Sequence, residues 1–135
     1  MNSPAPHQGK VFSYKQFPFG DGGQSDKLLI VINEPDSFSD YIFVKTTSQP
    51  KCKDTQGCHC SHNLYVLNPG EDLFPKKTWV QFHELYPIPR LAMDAATKYG
   101  EAKRIGQLRP QTVAAILNCM KKSEDLSPRE LSFLK

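Results

Sequence analysis

The chain has 135 residues, of which 39% are hydrophobic and 23% charged, a balance that is typical of one globular domain and argues against wholesale disorder. Its 17 basic and 14 acidic side chains give a formal net charge of +3, which permits contact with phosphate without requiring it. The sequence shows neither the charged start and apolar run of a signal peptide nor the roughly 20 apolar residues of a membrane helix. These features predict a cytoplasmic protein without membrane contact.

The first part of the chain predicts a flexible N-terminal tail (residues 1–9) followed by three strands. Residues 10–17 alternate apolar and polar side chains, which is typical of a half-buried strand. After a glycine-rich loop at residues 18–26, residues 28–32 are continuously apolar, as in a strand buried on both faces. Residues 41–47 are rich in aromatic and β-branched side chains, which favour a third strand.

The second part of the chain predicts two further strands and then helix. Residues 63–67 and 78–83 are the strands, and the two prolines between residues 86 and 91 keep that segment extended. Residues 92–105 stay open, because alanine favours helix there whereas a Tyr-Gly pair favours an early stop. Residues 105–108 are compact and extended.

A helix over about 110–122 is predicted from its apolar face. It opens with a proline at its first turn, and its apolar residues recur with i, i+3, i+4, i+7 spacing at Val113, Ile116, Leu117 and Met120. Ser127 to Glu130 has the form of a capping box that opens a last short helix. The sequence therefore predicts one mainly β domain over residues 10–135, a mostly antiparallel barrel of five or six strands closed by the helix at about 110–122.

A polar, cysteine-rich insertion at residues 48–62 interrupts this pattern. Thiolates and imidazole are the ligands that structural zinc prefers, and four such groups lie close together in sequence: Cys52, Cys58, Cys60 and His62. A redox pair (Cys52 with Cys58 or with Cys60) and free thiols are the alternatives. With no secretion signal, thiols or metal ligands are expected for the four cysteines rather than disulfides.

The order of these pieces resembles the MazF/PemK toxin family of small SH3-like barrels. The resemblance covers residues 9–121, apart from the insertion and residues 92–103. It is carried by a Gly-Lys-Val-Phe strand, an aromatic-proline-glycine loop, an apolar strand and a strand that ends in threonines. Trp-Val-Gln-Phe at 79–82 and Ile-Gly-Gln-Leu at 105–108, leading into a helix, complete the series.

The resemblance implies a metal-independent endoribonuclease that cuts single-stranded RNA by attack of the RNA's own 2′-hydroxyl. It also implies a homodimer that is held in check by an antitoxin protein, and no cofactor for catalysis. Such a site needs a cation against the charge of the phosphorane, a proton donor for the leaving oxygen, and hydrogen bonds to the phosphate.

The resemblance places the catalytic residues at Lys27 and Thr47. Lys27 occupies the position of the family's arginine, and a lysine lacks the planar fork that binds two phosphate oxygens at once. Thr47 matches the family's catalytic threonine. The alternative interpretation is a solvated lysine and an ordinary strand threonine.

Further RNA-binding candidates surround this pair: Phe19, Gln24, Ser25, Thr46 and His83. An aromatic ring can stack on a base, loop polar groups can position a phosphate, and a histidine titrates near neutral pH. The alternatives are a phenylalanine packed in the core or anchoring the loop, solvated polar groups in the loop, and a polar pair at the end of a strand. A basic face for RNA is one interpretation of four further residues, and scattered surface charge is the other: Arg90, Lys103, Arg104 and Arg109. A catalytically degenerate barrel that binds RNA or a protein is the alternative function.

Overall fold

The computed structural model describes residues 7–18, 24–35 and 39–134, and among these the side chains of 7–15, 27–35 and 39–134. Its strands are β1 (Lys10–Pro18), β2 (Gln24–Val31), β3 (Tyr41–Thr47), β4 (Gly57–His59), β5 (Leu64–Leu67), β6 (Thr78–Ile88) and β7 (Ala102–Gln107). Its α-helices are α1 (Arg90–Lys98), α2 (Pro110–Lys121) and α3 (Pro128–Leu131), and a 3-10 turn spans Cys60–His62.

All seven strands belong to one sheet in the order β4-β5-β6-β3-β2-β1-β7, and each pairing is antiparallel. The mainly β, antiparallel class is therefore confirmed. Closure into a barrel is not seen in the described residues, because β4 and β7 remain the two ends of an open order. The sheet instead buries its two faces under different helices.

The larger core lies on the face that α2 covers. Apolar residues of five strands meet Ile116, Leu117 and Met120 of α2 there, and Val113 packs against the same cluster. The predicted helix and its apolar face are thus confirmed, with α2 ending at Lys121. The capping box is also present: Ser127 and Glu130 exchange hydrogen bonds with each other's backbone N–H.

The smaller core lies on the opposite face, under α1. Met93 and Ala96 of α1 pack against aromatic and aliphatic residues of β1, β2, β3 and β6. The prediction of extended chain at Arg90 is wrong, because helix begins there. The two prolines restrict only the residues before them, which stay extended in β6, and the burial of Met93 and Ala96 stabilises helix after Pro89. Gly100, at φ +83°, then turns the chain into β7.

Two boundaries near the N-terminus also differ from expectation. Of the predicted tail, residues 1–6 lie outside the described residues, whereas the backbone N–H groups of His7 and Gln8 each donate to the Glu34 carboxylate at 2.9 Å. The predicted glycine-rich loop overlaps β2, which begins at Gln24. The helices found in the described parts of the chain are too short and too polar to span a bilayer.

Candidate functional site

A concavity of about 300 Å³ lies at the end of the sheet where β3 finishes and β6 begins. Lys27 of β2 and Thr47 of β3, the two predicted catalytic residues, both line it. Antiparallel pairing of β2 with β3, in which Leu29 lies opposite Lys45, brings the start of one strand beside the end of the other. The remaining lining residues are Leu28, Thr46, Ser48, Gln49, Phe74, Pro75, Lys76 and Thr78.

The two neighbouring threonines differ in what their hydroxyl groups do. Thr46 is buried, and its Oγ1 donates a hydrogen bond of 2.8 Å to the carbonyl oxygen of Leu28, which ties β3 to β2. The Thr47 Oγ1 instead accepts a hydrogen bond of 3.1 Å from the backbone N–H of Gln49. Among the described residues it donates to no acceptor, so its proton is available to a ligand in the concavity.

Lys27 carries its charge without a carboxylate partner among the described residues. Partial burial lowers the pKa of its ammonium group, and the positive charges of Lys45 and Lys51 lower it further. Positive charges close to a lysine favour the binding of an anion beside it, because the anion offsets the repulsion between them.

The charges of Lys45 and Lys51 also act on His83. Burial lowers the pKa of its imidazole, Lys45 and Lys51 lower it as well, and Glu84 opposes them. The Glu84 carboxylate lies 3.9 Å from the imidazole Nε2, and both side chains are about half exposed, which leaves the pair well solvated. The imidazole is therefore held toward its neutral form near neutral pH.

Strand alternation explains why Lys27 and Lys45 share one face. Side chains two apart on a strand point to the same side. Lys27 therefore lies on the same face as Leu29, and Lys45 on the same face as Phe43, which is the face that α1 covers. Gln81 of β6 lies opposite Lys45. We call Lys27, Lys45, Lys51 and His83 the cationic patch, and α1 covers the apolar part of the face beside it.

The structure does not assemble the predicted zinc ligands. Cys58 forms a disulfide with Cys119 of α2, and Cys52 and Cys60 are free. A disulfide sulfur has no thiolate to offer a metal, and no group of three or more His, Cys, Asp or Glu side chains in the described ranges is placed to hold an ion. The expectation of thiols rather than disulfides is wrong for this pair, because folding brings Cys58 of β4 against Cys119 of α2, 61 residues further along the chain.

Several other candidates lie apart from the concavity or outside the described residues. Phe19 is not among the described residues; Gln24 and Ser25 are described only as backbone of β2, paired with β1. The four residues of the expected basic face do not line the concavity, and Arg109 faces Asp72, with 3.5 Å between Nε and Oδ2. That face stays a prediction.

Sequence reasoning missed three lysines. Lys45 could have been found, because it stands two residues before Thr47 on a predicted strand and so shares its face. Lys51 belongs to the insertion and Lys76 to the loop before β6, and no periodicity in the sequence ties either to Lys27. Only the folded chain brings them to the site.

Comparison with known proteins adds no relative. The chain matches no family model, no curated protein and no solved structure. The functional argument therefore rests on the residues of the concavity and of the cationic patch.

Proposed function

We propose that this protein binds single-stranded RNA through the concavity and the cationic patch and cleaves it without a metal ion. The observation that carries the proposal is the meeting of Lys27 and Thr47 in one concavity, where the positive charges of Lys45 and Lys51 also act on Lys27. A phosphodiester carries the negative charge that these cations attract.

The proposed reaction uses the RNA's own nucleophile. The 2′-oxygen attacks the adjacent phosphorus while the bond from phosphorus to the 5′-oxygen breaks, which leaves a 2′,3′-cyclic phosphate and a 5′-hydroxyl. Neutral His83 carries the proton from the 2′-hydroxyl to the leaving 5′-oxygen, as general acid–base catalysis requires. The Lys27 ammonium offsets the charge of the phosphorane, and the Thr47 hydroxyl donates to a non-bridging oxygen.

The test is incubation of the purified protein with a labelled, mixed-sequence single-stranded RNA in EDTA, followed by analysis of the product ends. Lys27→Ala should lower the cleavage rate by roughly 10²–10³-fold, because a preorganised charge against the phosphorane is lost. Lys27→Arg should preserve or raise the rate, because arginine restores the bidentate fork.

Lys121→Ala is the matched control, since it removes one exposed lysine from α2, on the other face of the sheet. It should cleave like the parent. If EDTA stops the reaction, or if Lys27→Ala cuts as fast as Lys121→Ala, the proposed mechanism is wrong.

A second function, RNA binding without cleavage, is favoured by one observation: the position that the resemblance assigns to an arginine holds Lys27. A lysine attracts phosphate as a point charge but does not fix two of its oxygens. A parent protein that retards single-stranded RNA on a gel without producing 5′-hydroxyl ends would establish this function instead.

The proposal extends to the assembly that the resemblance implies: a sheet related to the SH3-like barrel, a homodimer, an antitoxin partner and a cytoplasmic location. A bridge such as Cys58–Cys119 is uncommon in a reducing cytoplasm, where thiol systems act on it. A cytoplasmic protein with this bridge would therefore exist in two redox forms.

A further inference from the structure

The cysteine-rich insertion, residues 48–62, begins in the wall of the concavity. Gln49 lines the concavity, and its backbone N–H donates to the hydroxyl of Thr47. A second attachment follows soon after, where the indole Nε1 of Trp79 donates a hydrogen bond of 2.6 Å to the carbonyl oxygen of Lys53. The segment between these two hydrogen bonds is thereby fixed against the sheet.

Lys51 lies on this fixed segment. It comes two residues after Gln49, which lines the concavity, and its ammonium charge lowers the pKa of Lys27 and that of His83. Lys51 has no ion-pair partner among the described residues. The insertion thus adds a positive charge that acts on Lys27 and His83, two of the three residues that the proposed reaction uses.

The far end of the insertion is held by the disulfide. Cys58 lies on β4, an edge strand of three residues that pairs only with β5 in the described sheet. Its partner Cys119 is buried in α2, 61 residues further along the chain, whereas Cys58 itself is exposed. A short edge strand gives little stability by itself, so the covalent bond to α2 is the strongest attachment of the insertion.

We propose that residues 48–62 are part of the phosphate-binding site, to which they contribute Lys51, and that the Cys58–Cys119 disulfide keeps them there, so that reduction weakens RNA binding. The inference rests on the proposed function, because it concerns the same site. The reductant is a dithiol: one thiolate attacks the exposed Cys58 sulfur and expels the Cys119 thiolate, which takes up a proton. The second thiol then displaces Cys58, and the dithiol leaves as a cyclic disulfide.

The position of the insertion can be followed without RNA, because Trp79 is the only tryptophan of the chain and is buried beneath Lys53. We expect a dithiol to shift the Trp79 emission to longer wavelength, as the indole becomes hydrated, while the far-ultraviolet circular dichroism stays unchanged. Cys58→Ser should show the shifted emission without any reductant.

Binding is measured by the fluorescence anisotropy of a labelled single-stranded RNA whose 2′-hydroxyl groups are methylated, so that it cannot be cleaved. Reduction should weaken binding by about fivefold to tenfold, at the low end of coupling between two sites. Lys51→Ala should bind with this lower affinity in both redox states. The control Lys121→Ala should keep the full difference between the states.

Three results would overturn the inference. The first is an unchanged Trp79 emission after reduction with normal binding, which leaves the proposed function intact. The second is a redox effect on binding that survives in Lys51→Ala. The third is loss of the whole circular dichroism signal on reduction, since the bridge would then be a general staple of the fold. If the oxidised protein binds no RNA while its emission shifts as expected, the proposed function fails together with the role of Lys51.

Discussion

The two faces of the sheet differ in how much of their surface is apolar and covered by a helix. The face under α2 is apolar from β1 to β6, and Met120 and Phe82 in its core are fully buried. On the opposite face Met93 and Ala96 cover one apolar cluster, and Leu64, Val66 and Trp79 form a separate one. Strands β2 and β3 present Lys27 and Lys45 on that face as well. An apolar side chain on a strand gains stability only where another part of the chain covers it, so the site lies where the cover of α1 ends.

The largest expected effect is a difference in the free energy of unfolding between variants on the two faces. Met120→Ala, on the α2 face, should lower the free energy of unfolding by about 2–5 kcal/mol, because it removes a fully buried side chain and leaves a cavity. Gln81→Thr, on the face of the cationic patch, should change it by less than about 0.5 kcal/mol. Urea denaturation of both variants measures the difference; equal losses would show that the two faces contribute alike.

A smaller effect distinguishes Thr46 from Thr47, two adjacent residues of β3, by stability and by cleavage rate. Thr46→Val should cost about 1 kcal/mol, because the Leu28 carbonyl loses the hydroxyl that now bonds it. Thr47→Val should cost less stability but lower the rate of RNA cleavage, since its hydroxyl proton faces the concavity. Thermal melts and cleavage assays on the two valine variants check this assignment, and a Thr46→Val protein that is stable but inactive would reverse it.

The smallest effect concerns the pH dependence of stability. The pKa of His83 lies below its ordinary value of 6.5 in the folded protein, so the unfolded chain takes up the proton first as the pH falls. Stability should therefore decrease as the pH drops through 6.5 and level off once the folded imidazole is also protonated.

His83→Gln should lose less stability than the parent between about pH 8 and about pH 5, in urea titrations at several pH values. The comparison isolates His83, because burial also lowers the pKa of His7 and both proteins retain that residue. An identical pH dependence in the two proteins would contradict the position of His83 in the cationic patch.

The sequence determined the elements whose signals are local. Alternation and β-branched residues sufficed for the strands around Tyr41 to Thr47 and Thr78 to Phe82, and the spacing from Val113 to Met120 sufficed for α2. The resemblance, which rests on the order of these elements, placed Lys27 and Thr47 as partners, and antiparallel pairing of β2 and β3 does bring them to one concavity.

The tertiary structure alone decided the start of α1, the disulfide and the membership of the cationic patch. Helix begins at Arg90 because Met93 and Ala96 find a core to cover, which no local propensity records. Folding brings Cys58 of β4 to Cys119 of α2, and it lets the charge of Lys51 act on Lys27. Spacing along a chain predicts contacts within one strand or one helix, whereas these contacts depend on how separate elements pack, and that is set by the burial of the whole core.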